Sequence, residues 1–411
     1  MTSEAASTGS RGLSVPARRA AIVVALLICL AIDGCLAWEV RDQVSLGATD
    51  FIAFYTAGQL VSHGNGVHLF VGPPTKEIVA YPNAHPAEFT HVPYEALLFV
   101  PFAHLSYAAA TWLWCILCIL LANISVFVMV AELPAVAGRL ELAILAVGLF
   151  MPVLIAEFNG QDSLVTLLLF SLCFKCLMRD RVALAGTALA CASFKPPLVI
   201  AMFLLIATTN RKRWRFIGGF AVTGCILFIL SIAAVSWQGV VGYPAFLRRY
   251  AATGDLYHAS DMPNLRGLIV GLMPENAFQS VTKLLVLLLS LSALIVAIWL
   301  CRRYGDEAKP LHFALYVTTT ILVGFHEYAY DLVLLVLPIL IIWNWFSAQP
   351  RDQRRYVWVP AAIAILVLGS ATASLKPRIF TWAVVLVFVF LCVLLWTESP
   401  ERGGAAVQSA A

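Results

Sequence analysis

Long apolar runs, each closed by a short polar or basic cluster, divide the chain. Runs over residues 20–32, 107–130, 163–177, 216–235, 281–300, 313–324, 332–345, 357–370 and 380–396 are the clearest. A further run opens after Arg139 and Glu141 and ends at Glu157-Phe158-Asn159-Gly160-Gln161-Asp162. Residues 94–105 are apolar but too short to span, and residues 182–194 and 198–208 are short runs separated by Lys195-Pro196-Pro197. None shows the alternation of an outer-membrane strand, so the runs predict helices. The pattern predicts an all-α polytopic membrane protein of about eleven to thirteen hydrophobic segments, some of them short re-entrant or hairpin helices.

Two stretches break this rhythm. Residues 39–92 are polar and irregular, with Gly64-Asn65-Gly66, Gly72-Pro73-Pro74 and Tyr81-Pro82-Asn83, and residues 236–280 form a second loop. A connection as long as the first points to a functional, partly helical loop. Residues 1–17 and 398–411 read as disordered tails around a single membrane domain, 18–397.

Composition adds the solvent. Of 411 residues, 61% are hydrophobic and 12% charged, against about 25% charged in soluble domains. The net charge of +4 says less than its placement. Arg18-Arg19, Arg179/Arg181, residues 211–215, Arg302-Arg303 and Arg351/Arg354-Arg355 are the dense basic clusters, which the positive-inside rule places in the cytoplasm. Both ends of 182–208 are then cytoplasmic, so that segment must be a hairpin with Lys195 at its outward tip. With no basic stripe carrying interleaved aromatics, nucleic acid is not an expected partner. The ten cysteines lie mostly inside apolar runs, and Cys115-x-x-Cys118 and Cys173-x-x-Cys176 lack a second pair, so they read as small hydrophobes.

This topology gathers the unusual polar residues on one side. Asp50, in Thr49-Asp50-Phe51-Ile52-Ala53-Phe54-Tyr55, is either an N-cap for a helix over 53–60 or a general base. Lys195, Arg248, Arg249 and Arg266 suit a phosphate, although paired arginines also suit lipid headgroups. His326, ahead of Glu327, Tyr328, Tyr330 and Asp331, is a satisfied buried histidine or a relay to phosphate. Asn159, Gln161 and Asp162 suit sugar hydroxyls or form a simple turn. His63, His68, His85, His91 and His104 do not repeat at a helical metal-ligand spacing. No zinc site is expected, and a loosely held divalent ion near Asp50 is left open.

Asp50-Phe51 with Phe54-Tyr55 and Ala57-Gly58, then Gly160-Gln161, Ala185-Gly186 through Lys195-Pro196, and Tyr330-Asp331-Leu332 occur in this order. The set resembles glycosyltransferase family 87, a branch of the GT-C membrane glycosyltransferases, over roughly residues 20–345. The family includes polyprenol-phosphate-mannose-dependent α-1,2-mannosyltransferases. The resemblance implies a hexose, with mannose the best-known case, moved from a polyprenyl-phosphate donor to an extracytoplasmic lipid or glycan. The mechanism it implies is an inverting displacement with Asp50 as base. It places Lys195, in the Lys-Pro position, and His326 near the donor phosphate; residue chemistry adds Arg248, Arg249 and Arg266 there, and Phe54, Tyr55, Asn159, Gln161, Asp162 and Tyr328 near sugar or acceptor. Gly324-Phe325-His326-Glu327 lacks the Ser-Pro pair frequent at that point in the family. The partners are then a bacterial-type plasma membrane, the lipid-linked sugar and the acceptor. A transporter of lipid-linked or anionic solutes is the rival reading, and a non-catalytic membrane partner a third; internal repeats, common in transporters, are not visible.

Overall fold

The first long run becomes a helix, α1 (Val15–Ser45), that exposes Val23, Val24, Leu27 and Leu30 as a lipid-facing surface would. The computed structural model describes residues 14–45, 47, 49–71, 89–253, 259–273, 279–303, 309–349 and 377–397, and among them all regular structure is helical. The turns at Gly72-Pro73-Pro74 and Tyr81-Pro82-Asn83, His85, the Arg351–Arg355 cluster, the run 357–370 and residues 1–13 and 398–411 lie outside the described residues.

Part of the first irregular stretch is helical. After α1, the helix α2 (Phe51–Ser62) buries Phe51, Phe54, Tyr55 and Leu60. Residues 93–104 are three short helical pieces, and Pro93 and Pro101 occupy first-turn positions of the first and last, which need no backbone donor. Next comes α3 (Tyr107–Val130), whose N-cap Ser106 accepts from the Ala109 amide at 3.4 Å. The run after Arg139 is not one straight span. It splits into α4 (Leu140–Gly148) and α5 (Met151–Phe158), bent by 55° with Pro152 at the start of the second piece.

The polar clusters then show two faces of the bundle. α6 (Ser163–Met178) leads from the 159–162 turn to Asp180, whose carboxylate pairs with Lys212. α7 (Val182–Cys191) returns towards the turn, and α8 (Pro196–Thr209) comes back again. The hairpin expected of 182–208 is therefore present, because both of its ends meet at the Asp180–Lys212 pair. Arg302 donates to the Thr208 carbonyl at 2.9 Å, Arg179 meets Glu132 at 2.6 Å and Arg18 reaches the Ala137 carbonyl on this same basic face. At about 1.5 Å per residue, the 10 residues of α7 and 14 of α8 rise only about 15 and 21 Å. Those lengths fall short of a hydrocarbon core of about 30 Å.

The longest helix, α9 (Arg213–Thr253), has 41 residues and kinks at Ser236, whose φ of 64° and ψ of 171° are left-handed. Before the kink it crosses α7 on two glycines: a Cβ on Gly186 would lie 2.1 Å from the Phe216 carbonyl, and one on Gly219 2.0 Å from that of Ala183. Such close backbone approach is a membrane helix-packing device. Beyond the kink, 237–253 is helical rather than the loop that the sequence suggested. Tertiary contact accounts for it, since Gly242 admits Val71, Phe246 meets the Phe70 ring at 5.4 Å and Tyr243 donates to the Thr90 carbonyl at 3.0 Å.

The remaining helices are α10 (Leu265–Leu272), α11 (Gln279–Arg303), α12 (Lys309–Val323), α13 (Val336–Ala348) and α14 (Pro377–Thr397). A 3-10 segment, Ala329–Leu335, joins α12 to α13 through the fully buried Leu332 to Leu335. Among the described residues five helices are long and apolar enough to cross a membrane, six if the α4–α5 pair is one broken span, alongside shorter apolar helices. The protein is an all-α, multi-pass membrane protein.

Candidate active site

Lys195 stands at the N-cap of α8, with Pro196 and Pro197 in the first turn. Its Nζ lies 2.6 Å from Oδ1 of Asp331, 2.8 Å from Oδ1 of Asp162 and 3.0 Å from Oγ of Ser163. Three oxygens match the three donors of an ammonium. The Ser163 hydroxyl also donates to Asp331 at 2.9 Å, and the other Asp331 oxygen accepts from the Tyr328 amide at 3.1 Å. All of these acids and the lysine are buried. Burial works against the Lys195 charge, but Asp162 and Asp331 outweigh it and hold its pKa above the ordinary lysine value. Burial likewise opposes ionisation of Asp162, yet Lys195 and His91 keep that carboxyl below its usual range.

His91 joins from the other side of Asp162. Its Nδ1 is 2.8 Å from Oε2 of Glu95, four residues on, and 3.3 Å from Oδ2 of Asp162. The ring is held between Phe54, at 4.9 Å, and Phe89, at 5.6 Å. Burial disfavours the imidazolium, but Glu95 and Asp162 overcome it and raise the His91 pKa; burial also raises Glu95, against the opposing pull of His91. His91, Glu95 and Asp162 place their ligand-type atoms within 4.8 Å of one another, the one such group among the described residues.

Asp50 occupies the N-cap position of α2, but its backbone is already helical and its side chain makes no cap bond. Instead its Oδ2 accepts from Gln161 Nε2 at 2.6 Å. The residue is solvent-accessible while crowded by protein. Burial raises its pKa, and the Gln161 hydrogen bond, His91 and Lys195 pull the other way. The 159–162 turn fits here because Gly160 has a φ of 70°, and a Cβ on it would lie 2.5 Å from Cβ of Phe51. The Phe51 amide donates to the Asn159 carbonyl at 3.1 Å, so the turn is clipped to the start of α2.

A cavity of about 270 Å³ runs beside this network. His91, Lys195, Asp331 and His326 form its polar wall, and Pro197 and Leu247 are among its apolar residues; Asp50 lies near it but not on it. A larger cavity, about 700 Å³, opens on the basic face among Arg211, Lys212, Arg302 and Lys309, remote from the acid–lysine network.

The sequence model of glycosyltransferase family 87 matches residues 89–338. The chain belongs to that family. It is a membrane glycosyltransferase. No curated protein and no solved structure matches it. The matched stretch begins after Asp50, more narrowly than the resemblance over roughly 20–345, and it contains His91, Glu95, Asp162, Lys195 and Asp331.

In this glycosyltransferase the expected site residues divide. Asp50, Gln161, Asp162 and Lys195 come together, while His326 reaches the same cavity with its ring 5.2 Å from Tyr328. Arg248 and Arg249 are exposed on α9, flanked by the wall residues Leu247 and Tyr250. The expected residues have these surroundings. Lys195 faces Asp162, Asp331 and Ser163 with its ammonium and so holds the two acids together. Arg266 donates to the Phe325 carbonyl at 2.6 Å, bracing the 324–328 junction. Phe54 is packed at 4.7 Å on Phe99, and the Tyr55 hydroxyl donates to the Leu105 carbonyl at 2.7 Å; both are core residues. Asp162 is fully buried in ion pairs, Asn159 gives its carbonyl to the Phe51 amide, and Tyr328 offers its amide to Asp331 and meets the His326 ring edge-on.

The structure adds His91, Glu95 and Ser163 to the site. The signal for the first two was His91-x-x-x-Glu95, an acid four residues after a histidine rather than a second histidine. Asn264, which caps α10 and donates to the buried Glu327 at 2.8 Å, is a further support with no visible motif.

Proposed function

We propose that this glycosyltransferase moves a hexosyl group, with mannose the family's best-known case, from a polyprenyl-phosphate donor to a hydroxyl of an extracytoplasmic lipid or glycan. The observation that carries the reading is the Asp50 carboxylate: accessible, freed from capping, and aimed by Gln161 beside the charged cluster. The acceptor O–H gives its proton to Asp50 as its oxygen attacks the sugar's anomeric carbon. The bond from that carbon to the phosphate oxygen breaks on the opposite face, so the configuration inverts and polyprenyl phosphate leaves as the anion. A leaving group of that kind needs no protonation, and fixed positive charge serves it best.

The cavity supports a donor with a charged head and an isoprenoid tail. His326 stands on its wall, Arg248 and Arg249 follow the wall residue Leu247 in sequence, and Pro197, Leu198, Leu247 and Phe325 offer an apolar path. The gathering of basic clusters on the other face supports an extracytoplasmic site in a bacterial-type plasma membrane.

The test is Asp50→Asn in native membranes supplied with a labelled polyprenyl-phosphate sugar. Transfer should fall by about 100-fold or more, the usual share of a general base, with the protein inserted at wild-type level. Wild-type transfer by the variant would end the assignment. Mass spectrometry of envelope glycolipids from a deletion strain would identify the acceptor.

A further inference from the structure

We infer that His91, Glu95 and Asp162 form a binding site for a divalent transition-metal ion of the Mn²⁺ type, opening on the cavity that holds Lys195 and His326. Glu95 and Asp162 are both fully buried, and their carboxylates converge with Nδ1 of His91 inside 4.8 Å. Two buried carboxylates facing each other repel unless something positive lies between them. The distances from Nδ1, 2.8 and 3.3 Å, are those of neighbouring ligands around an ion. Bonds of about 2.1 Å set at right angles separate adjacent ligand atoms by about 3 Å.

The alignment supports the same reading. Glu95, Asp162 and Nδ1 of His91 meet their neighbours through ion-pair contacts alone, none of them a hydrogen bond of acceptable geometry despite this crowding. A buried carboxylate without such bonds costs more than a neutral buried orphan does. Three ligand-type atoms this close call for one shared positive occupant, and a metal ion competes with a proton on His91 for that place. The nearby ammonium does not answer the need, because Lys195 is spread over Asp162 Oδ1, Asp331 and Ser163. Asp162 then serves two partners, with Oδ1 towards Lys195 and Oδ2 towards the ion.

One imidazole and two carboxylates make a mixed donor set, which favours Mn²⁺ and its neighbours over the all-oxygen preference of Mg²⁺ or Ca²⁺. Three protein ligands leave coordination positions for water or a ligand oxygen, and His91 lies on the cavity wall. The ion also corrects a sign. Asp162, Asp331 and Glu95 outnumber Lys195 and give the pocket an acidic excess that would repel an anionic donor, and a divalent cation cancels it. That last role rests on the donor reading above, whereas the site itself does not.

The experiment is Mn²⁺ titration of the full chain in detergent micelles, followed by the loss of the free-ion electron paramagnetic resonance signal. Wild type should take up about one ion per chain. Removing even an outer-sphere partner of a metal typically costs about 10–100-fold in affinity, so Glu95→Gln and His91→Gln should each weaken binding at least that much. Glu327→Gln, a buried acid outside the group, should bind as wild type does. Mn²⁺ should raise the melting temperature of wild type but not of His91→Gln, which keeps the reading available if Glu95→Gln fails to fold. The site is overturned if wild type takes up no stoichiometric Mn²⁺, as when the gap is filled by a proton on His91. Equal uptake by wild type and both ligand variants also overturns it. Because the readout is binding, a negative result leaves sugar transfer by Asp50 standing.

Discussion

Gln161 donates to Oδ2 of Asp50 at 2.6 Å, joining residues 111 positions apart. The bond steers the carboxylate and favours its charged form, against the burial that raises its pKa. A general base works only when ionised, so transfer should fall as pH drops through the Asp50 pKa. Gln161→Leu removes a lowering influence, and the acidic limb of the rate profile should move to higher pH. Initial rates across pH with a labelled donor would check this; an unmoved limb would detach Gln161 from the base.

The same burial bears on stability with the opposite sign. The folded state raises the Asp50 pKa, so ionising Asp50 costs stability once pH exceeds its ordinary value. Asp50→Asn removes that cost while keeping an acceptor for Gln161. Its melting temperature in detergent near neutral pH should equal or exceed the wild-type value, although transfer is lost.

Lys195→Met should be far more damaging to the fold. It leaves Asp162 and Asp331 buried without their cation, a change that costs about 3–5 kcal/mol when one member of a buried pair is removed. Adding Asp331→Asn should recover part of the loss in thermal melting. Lys195→Arg should not substitute, since a planar fork cannot address three oxygens around a point.

Gly160→Ala tests the clip between the turn and α2. A left-handed backbone costs a residue with a Cβ about 1–2 kcal/mol, and the new methyl would collide with Phe51. Relief of that clash must shift the turn that carries Gln161. Transfer should therefore drop more than the melting temperature does, as read by parallel rate and melting assays.

Sidedness has its own test. A cysteine placed at exposed Asn65 should react with a membrane-impermeant thiol reagent in intact cells, and one at exposed Arg211 only after permeabilisation. The reverse pattern would put the site in the cytoplasm.

The hairpin at 182–209 was legible because charge marks both of its ends, and charge placement is written in the sequence. Pro152 was harder to read, since the apolar run around it is unbroken and a bend there depends on what packs outside it. Gly239, Gly242 and Pro244 look like loop residues in isolation. In the fold the two glycines let a helix lie close against Val67 and Val71. The tie from Lys195 to Asp331 spans 136 residues, and no local pattern announces such a distance. Asp50 was readable as unusual, but its release from capping is a matter of backbone angles.

The brevity of α7 and α8 has a physiological corollary. Helices that start at the basic face and stop short of a full crossing hold the reacting groups at a depth set by the protein, whatever the thickness of the surrounding lipid. A thicker bilayer would leave that chemistry intact but lengthen the descent of any headgroup to it, and a thinner one would shorten it. Acyl-chain length in reconstituted vesicles should thus tune the apparent affinity for a lipid-borne substrate more than the maximal rate. Hydrophobic mismatch would then act on this enzyme as a control over substrate delivery.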